Sequence, residues 1–241
     1  MIAIKNTENT VDAKVSQSLA AQLAATPLFA TLGDNERNRL ARSTQEQKLR
    51  RGEILFHRGD LCSGIHVLLS GQVKLAVVSA QGKEKVVELL GPGQSFGENA
   101  MFLNQPYSFF AEALSDCNVL HITRHAIERE LNGMSPLGQT FLNNMAQRNK
   151  DLVDDVESYA LSSGKERIIG FLLHELQGHG SNGDEAVLHL PVHKGVIASR
   201  LNLTQEHFSR ILHDLQDAGL IAVDGKFIGI PSLSRLRAGL S

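Results

Sequence analysis

The chain has 241 residues, 42% of them apolar, with ten Phe, two Tyr and no Trp, so one or two domains with a largely aliphatic core are expected. Its formal charge of −2 excludes a polycationic coat for nucleic acid. Two cysteines, Cys62 and Cys117, exclude a disulfide framework or a four-thiolate metal site, and the lack of a signal-like or membrane-length apolar run leads to the expectation of a cytoplasmic protein with no membrane partner.

Residues 1–17 are polar and weakly patterned, as a flexible N-terminal arm would be. From Ser18 to Arg42 the signals are helical, with a break at Pro27 and a polar-capped helix around Glu36–Ala41. Between Gln47 and Thr123, short apolar runs alternate with glycine. They predict strands at 53–56, 64–69, 73–78 and 85–90, and so a barrel or jelly roll. This β-domain is assigned residues 18–134. His66 falls where an aromatic core residue would serve, so a packed histidine is expected there rather than a ligand.

Helical spacing returns with Leu137, Phe141, Met145, Leu152, Val156 and Tyr159. It predicts one helix of about 25 residues starting near Ser135-Pro136. Residues 135–162 are read as a dimerisation helix, with Phe141, Met145, Leu152, Val156 and Tyr159 facing a parallel partner helix. The competing reading packs this stripe on the chain's own β-domain. Ser162-Ser163-Gly164 marks a hinge.

Residues 163–241 are read as a DNA-binding domain. They hold eight Lys/Arg and eight Asp/Glu, a net of zero, so affinity for DNA must come from geometry. The segment Gly195–Leu215 reads GVIASRLNLTQEHFSRILHDL. A helix-turn-helix must bury one face of each helix across a three- to four-residue turn. Ile197, Leu201, Leu203, Phe208 and Ile211 occupy the positions this requires. Asn202 stands at the turn, where a left-handed conformation is tolerated, and Thr204 suits an N-cap. Glu206, Ser209, Arg210 and His213 share the opposite face, with Gln205 at the tip. Arginine can fork onto guanine O6 and N7, and glutamate can accept from cytosine N4. The runs Leu220–Val223 and Phe227–Ile230 flank Asp224-Gly225, a hairpin signal. It would form the wing of a winged helix, with Lys226 near DNA phosphate. No Gly-rich phosphate loop, His-Glu-x-x-His or activated nucleophile is found, so the chain is not read as an enzyme.

Gly59-Asp60, the Gly-x-x-Phe-Gly-Glu stretch at Gly93–Glu98, the long helix and the run Leu203–Arg210 together resemble the CRP/FNR family of regulators. The resemblance spans about Thr26 to Leu236. It implies an α+β chain: an N-terminal β-roll (jelly-roll, cyclic-nucleotide-binding-like) sensor domain, a long dimerisation helix and a C-terminal winged helix-turn-helix. It also implies a homodimer on a palindromic operator, with RNA polymerase as a further partner. Glu206, Ser209 and Arg210 match the Glu-x-x-Ser-Arg of the FNR branch and imply TTGAT-like half-sites. Gln205 stands where the cAMP-receptor branch has Arg.

For the sensor, the resemblance implies an effector pocket involving Phe96, Gly97, Glu98 and Ser108. Cyclic nucleotide is set aside, because Ser108 stands where the phosphate-binding Arg belongs and no Lys or Arg occurs between Asn99 and Glu112. An uncompensated buried phosphate would be costly. An iron-sulfur cluster is set aside because residues 1–61 contain no cysteine. The stretch Phe96–Phe102 and the turn Asn104–Tyr107 resemble the nitrate-respiration, nitric-oxide-responsive (Dnr-like) subgroup. That implies nitric oxide sensing through heme in the control of denitrification. Ten histidines are available, among them His57, His66, His121, His125, His174 and His179, and no motif singles out a metal ligand.

Overall fold

A computed structural model describes residues 15–131, 135–177 and 183–240. The chain forms two units, one from residues 1–77 and 87–147, the other from 78–86 and 148–241.

The first unit begins with a helix over 15–24, α1. The expected arm therefore gives way to helix by residue 15, because Leu19 and Leu23 bury one face of that helix in the core. A 3-10 turn (Pro27–Phe29) and α2 (Asp34–Ala41) follow. Then come β1 (Thr44–Leu49), β2 (Ile54–Phe56), β3 (Gly64–Ser70), β4 (Val73–Val78), β5 (Glu84–Leu90) and β6 (Ser95–Phe96). The unit continues through α3 (Glu98–Leu103), β7 (Phe110–Ala113), β8 (Cys117–Thr123), α4 (Arg124–Leu131) and the start of α5 (Pro136–Leu161).

Two four-stranded sheets result, in the orders β1-β8-β3-β6 and β2-β7-β4-β5. Alternation along β3 explains the layering, since successive side chains point to opposite faces. Ile65 and Val67 join the helices α1, α2 and α4 and the first turns of α5 in one core. Leu68 joins Phe56, Leu75, Leu90, Phe96 and Val119 in the other. A strand buried on both faces reads as a near-continuous apolar run, as Ile65–Leu69 does apart from the buried His66. Between helices, Arg39 donates to both carboxylate oxygens of Glu130, at 2.9 and 2.6 Å. That pairing holds the Glu130 carboxyl below its ordinary range.

α5 has 26 residues, as its spacing predicts, but its seam needs correction. Leu137 and Phe141 are buried in the first unit's own core, and the Phe102 ring meets Phe141 edge-on at 5.4 Å. The i,i+4 spacing of an intramolecular face and of a partner seam is the same here, and the β-domain wins the first turns. Leu142, Met145, Leu152, Val153 and Val156 remain exposed. At the other end Tyr159, expected on the seam, is half-buried. Its hydroxyl donates to Arg200 O at 2.6 Å.

The second unit contains the rest of α5, then α6 (Gly164–Gln177), β9 (Ala186–His189), α7 (Lys194–Arg200), α8 (Gln205–Asp217), β10 (Ala222–Asp224), β11 (Phe227–Ile230) and α9 (Leu233–Ala238). Its sheet has the order β10-β11-β9. Gly164 is more than a hinge glycine. A Cβ there would lie 2.8 Å from Ile211 Cδ1 and 3.2 Å from Leu203 Cδ2, so its smallness lets α6 approach the helix pair.

Candidate functional site

α7 and α8 are joined by Leu201–Thr204, and Asn202 takes the left-handed conformation, φ 57°, that its short polar side chain tolerates. Thr204 Oγ1 accepts from the His207 N–H at 3.2 Å, fixing the first turn of α8. Ile197, Ala198, Phe208, Ile211, Leu212 and Leu215 are buried, so the two helices share one apolar seam. Leu201 and Leu203, expected in that seam, are only half-buried, because they lie in the turn at its rim.

The opposite face of α8 is open. Gln205, Glu206, Ser209 and Arg210 are all exposed. Among the described residues, no hydrogen bond or ion pair engages Glu206, Ser209 or Arg210. His213, one turn further, faces Asp217 at 2.9 Å. One carboxylate, one hydroxyl and one guanidinium thus stand free on the N-terminal half of the helix, with groups suited to base edges.

The hairpin turns at Asp224-Gly225, with Gly225 at φ 58°, and exposes Lys226 at its tip. A cleft of about 440 Å³ opens between Gly225-Lys226, His193-Lys194-Gly195 and Gln205. It brings Lys194 to the same opening as Lys226. Lys194 was not legible in advance, because the strand pairing that brings β11 beside β9 lies outside any local pattern.

In the first unit, Phe96, Gly97 and Glu98 are contiguous at the β6–α3 corner, where Gly97 has φ 93° and Phe96 and Glu98 are buried. Ser108 is exposed beside the buried Tyr107. Next to this corner lies an aromatic cluster. His66 Nε2 meets the Tyr107 hydroxyl at 3.2 Å. The His66 ring lies 5.2 Å from Phe96, 5.4 Å from Phe56 and 4.9 Å from His121. Burial, helped by His121, pushes the His66 imidazole down to about 3, so it is neutral at physiological pH.

A neutral imidazole could ligate iron, and His66 Nδ1 has no hydrogen-bond partner among the described residues. The surroundings nevertheless do not fit heme, because the space about the ring is filled by Phe56, Phe96 and His121. A second, apolar groove of about 720 Å³ runs along Phe102, Leu131, Phe141, Leu142 and Met145. Its described lining offers one thioether and no imidazole. His57, His125 and His174 are exposed, and His179 lies outside the described residues. Among the described residues no three His, Cys, Asp or Glu side chains are grouped as a metal centre would need. No described helix is long and apolar enough to cross a membrane.

Residues 46–133 match the cyclic nucleotide-binding domain family, and residues 166–238 match the Crp-like helix-turn-helix domain family. The electron transport regulator A of Shewanella oneidensis is 30% identical over 204 residues, covering 82% of this chain and 80% of that protein. The fumarate and nitrate reduction regulatory protein of Salmonella typhimurium is 28% identical over 211 residues, covering 86% of this chain and 84% of the relative. The structure of FixK2 from Bradyrhizobium japonicum shares the fold, with a TM-score of 0.73 at 21% identity over 82% of this chain and 98% of that one.

Proposed function

Since the chain belongs to the CRP/FNR family of DNA-binding transcription regulators, we propose that it acts in the cytoplasm as a homodimer reading a palindrome with TTGAT-like half-sites. The observation that carries this reading is the open face of α8, where Glu206, Ser209 and Arg210 are exposed and unengaged by the described residues. Arg210 takes the guanine of each half-site and Glu206 accepts from the cytosine opposite. Ser209 supports them, and Thr204 with Gln205 sets the tip of the helix in the major groove. Lys226 and Lys194, sharing one cleft, hold backbone phosphate and so set register rather than sequence.

The exposed stripe supports dimerisation. Leu142, Met145, Leu152 and Val156 are exposed, and with Asn149 they follow a 3-4-3-4 spacing, the seam of a two-stranded coiled coil. Two-fold symmetry of the protein then matches two-fold symmetry of the operator.

The β-roll is the regulatory part. For the effector, nitric oxide on heme rests on the subgroup resemblance alone, and the packing about His66 stands against it. A hemin titration with visible spectra decides that point, since a stoichiometric Soret band would revive the heme reading and its absence would end it. The DNA reading is tested by fluorescence anisotropy against a TTGAT palindrome and against the same duplex with both half-sites scrambled. Equal affinity for the two, at matched ionic strength, would refute it.

A further inference from the structure

Three segments of the second unit converge on one ammonium group. Lys85 stands at the start of β5, next to the β4–β5 turn. Its Nζ donates to Ser199 O at 2.7 Å and Arg200 O at 3.0 Å. It also lies 4.5 Å from the centre of the Tyr159 ring. Ser199 and Arg200 are the last two residues of α7, so their carbonyls lack the i+4 partner of a helix interior, and Ser199 O also accepts from the Asn202 N–H at 3.2 Å. A cation is the complementary group there.

The same end of α7 is gripped twice more. The Val86 N–H donates to Ser199 Oγ at 2.9 Å, and that hydroxyl faces Glu84 O at 3.4 Å. The Arg200 guanidinium donates to Tyr159 Oη at 2.7 Å and meets Asp155 Oδ2 at 2.7 Å. Residues 84–86, α5 and α7 are thereby tied at one point, through contacts 41 to 115 residues apart in sequence.

A clamp of this kind is not what stability alone would select. Burial drives the Lys85 ammonium down to about 8, with Arg200 adding to the effect, so the charge is held there at a cost. Even half-burying a cation is a poor stabiliser compared with apolar packing, and the better-attested use of such ionic groups is to fix one arrangement among several. What it fixes here is close to the reading surface. Only Leu201–Thr204 separates Arg200 from α8, and those residues include the left-handed Asn202. At its other end β5 leads to Leu90, which lies in the same core as Phe96 and Tyr107.

We infer that Lys85 is a regulatory latch, fastening the β4–β5 turn and α5 to the end of α7 so that a change in the β-roll is passed to the recognition helix. The latched arrangement leaves the reading face of α8 open, so it is the DNA-competent one. This inference rests on the DNA reading above.

The test uses the full chain. Amide hydrogen exchange is followed in the wild type, Lys85→Ala and Ser199→Ala. Both variants should speed exchange at Val86 and at residues 201–203 by about tenfold, with the β-roll amides unchanged. Affinity for the palindrome should fall at least fivefold, although neither residue belongs to the reading face. Unchanged exchange at these amides overturns the latch. Faster exchange with equal or higher DNA affinity overturns its regulatory role. Failure of the wild type to prefer the palindrome refutes the half-site reading instead, and leaves the exchange result to decide whether the latch exists.

Discussion

Replacing Arg210 with alanine separates recognition from folding. The side chain is exposed and unengaged among the described residues, so its loss should change unfolding free energy by no more than about 0.5 kcal/mol. A bidentate arginine–guanine pair discriminates by about 1–3 kcal/mol. A two-fold dimer makes two such contacts, far enough apart to add, for about 2–6 kcal/mol on the whole operator. At about 1.4 kcal/mol per decade, that is roughly 30-fold to 10⁴-fold in affinity. The assay is anisotropy with two duplexes, one with the guanine of each half-site intact and one with it replaced symmetrically. Wild type should separate the duplexes by this factor, and Arg210→Ala should bind both alike. Thermal melting followed by circular dichroism checks that the fold persists. If the variant still discriminates guanine by the wild-type ratio, the assignment of Arg210 is wrong.

Three further outcomes follow from the packing. Leu152→Asp places a carboxylate on the exposed stripe of α5, so light scattering should find monomer where the wild type is dimer. A monomeric wild type would remove the seam. Thr204→Ala deletes the acceptor of the His207 N–H and should cost about 1 kcal/mol in urea unfolding, whereas an unchanged midpoint would mean the cap contributes nothing. His66 is held neutral well below its ordinary pKa, so the unfolded chain binds more protons than the folded one between about pH 6.5 and about pH 3. Its contribution to stability is therefore present above pH 6.5 and is lost as pH falls through that window. His66→Phe, which suits the surrounding rings, should resist acid unfolding better than the wild type. The same acid midpoint in both would show that His66 does not govern it.

The helix-turn-helix was legible because its burial pattern is local. Ile197, Phe208 and Ile211 are buried for the same reason that their spacing is diagnostic. The four strands expected at Glu53–Phe56, Gly64–Leu69, Val73–Val78 and Lys85–Leu90 lie within a residue or so of those observed. β1 escaped notice because TQEQKL carries no apolar run. Its first residue is buried and its remainder largely open, as an edge strand held by pairing with β8 can be. α9 was missed although Ser232 caps it and Leu233 and Leu236 bury one face, because six residues give too few repeats to establish a period. Phe141 and Tyr159 were misplaced for a different reason. Periodicity says that a helix face is covered and is silent about what covers it. Lys85 could not be found at all, since its partners are brought to it only by tertiary folding.

The β4–β5 turn belongs with the second unit, and this bears on how the chain can be cut and recombined. A fragment beginning at residue 163 would contain every side chain proposed to read bases yet lack Glu84–Val86, Asp155 and Tyr159. Its α7 would end with the Arg200 carbonyl facing water and the Ser199 carbonyl held by the Asn202 N–H alone. Likewise, a chimera that joins this C-terminal segment to another β-roll inherits whatever residue that roll carries at the position of Lys85. The unit of inheritance is then a discontinuous one, a nine-residue insert together with a tail, and compatibility between insert and tail should predict which chimeras remain responsive.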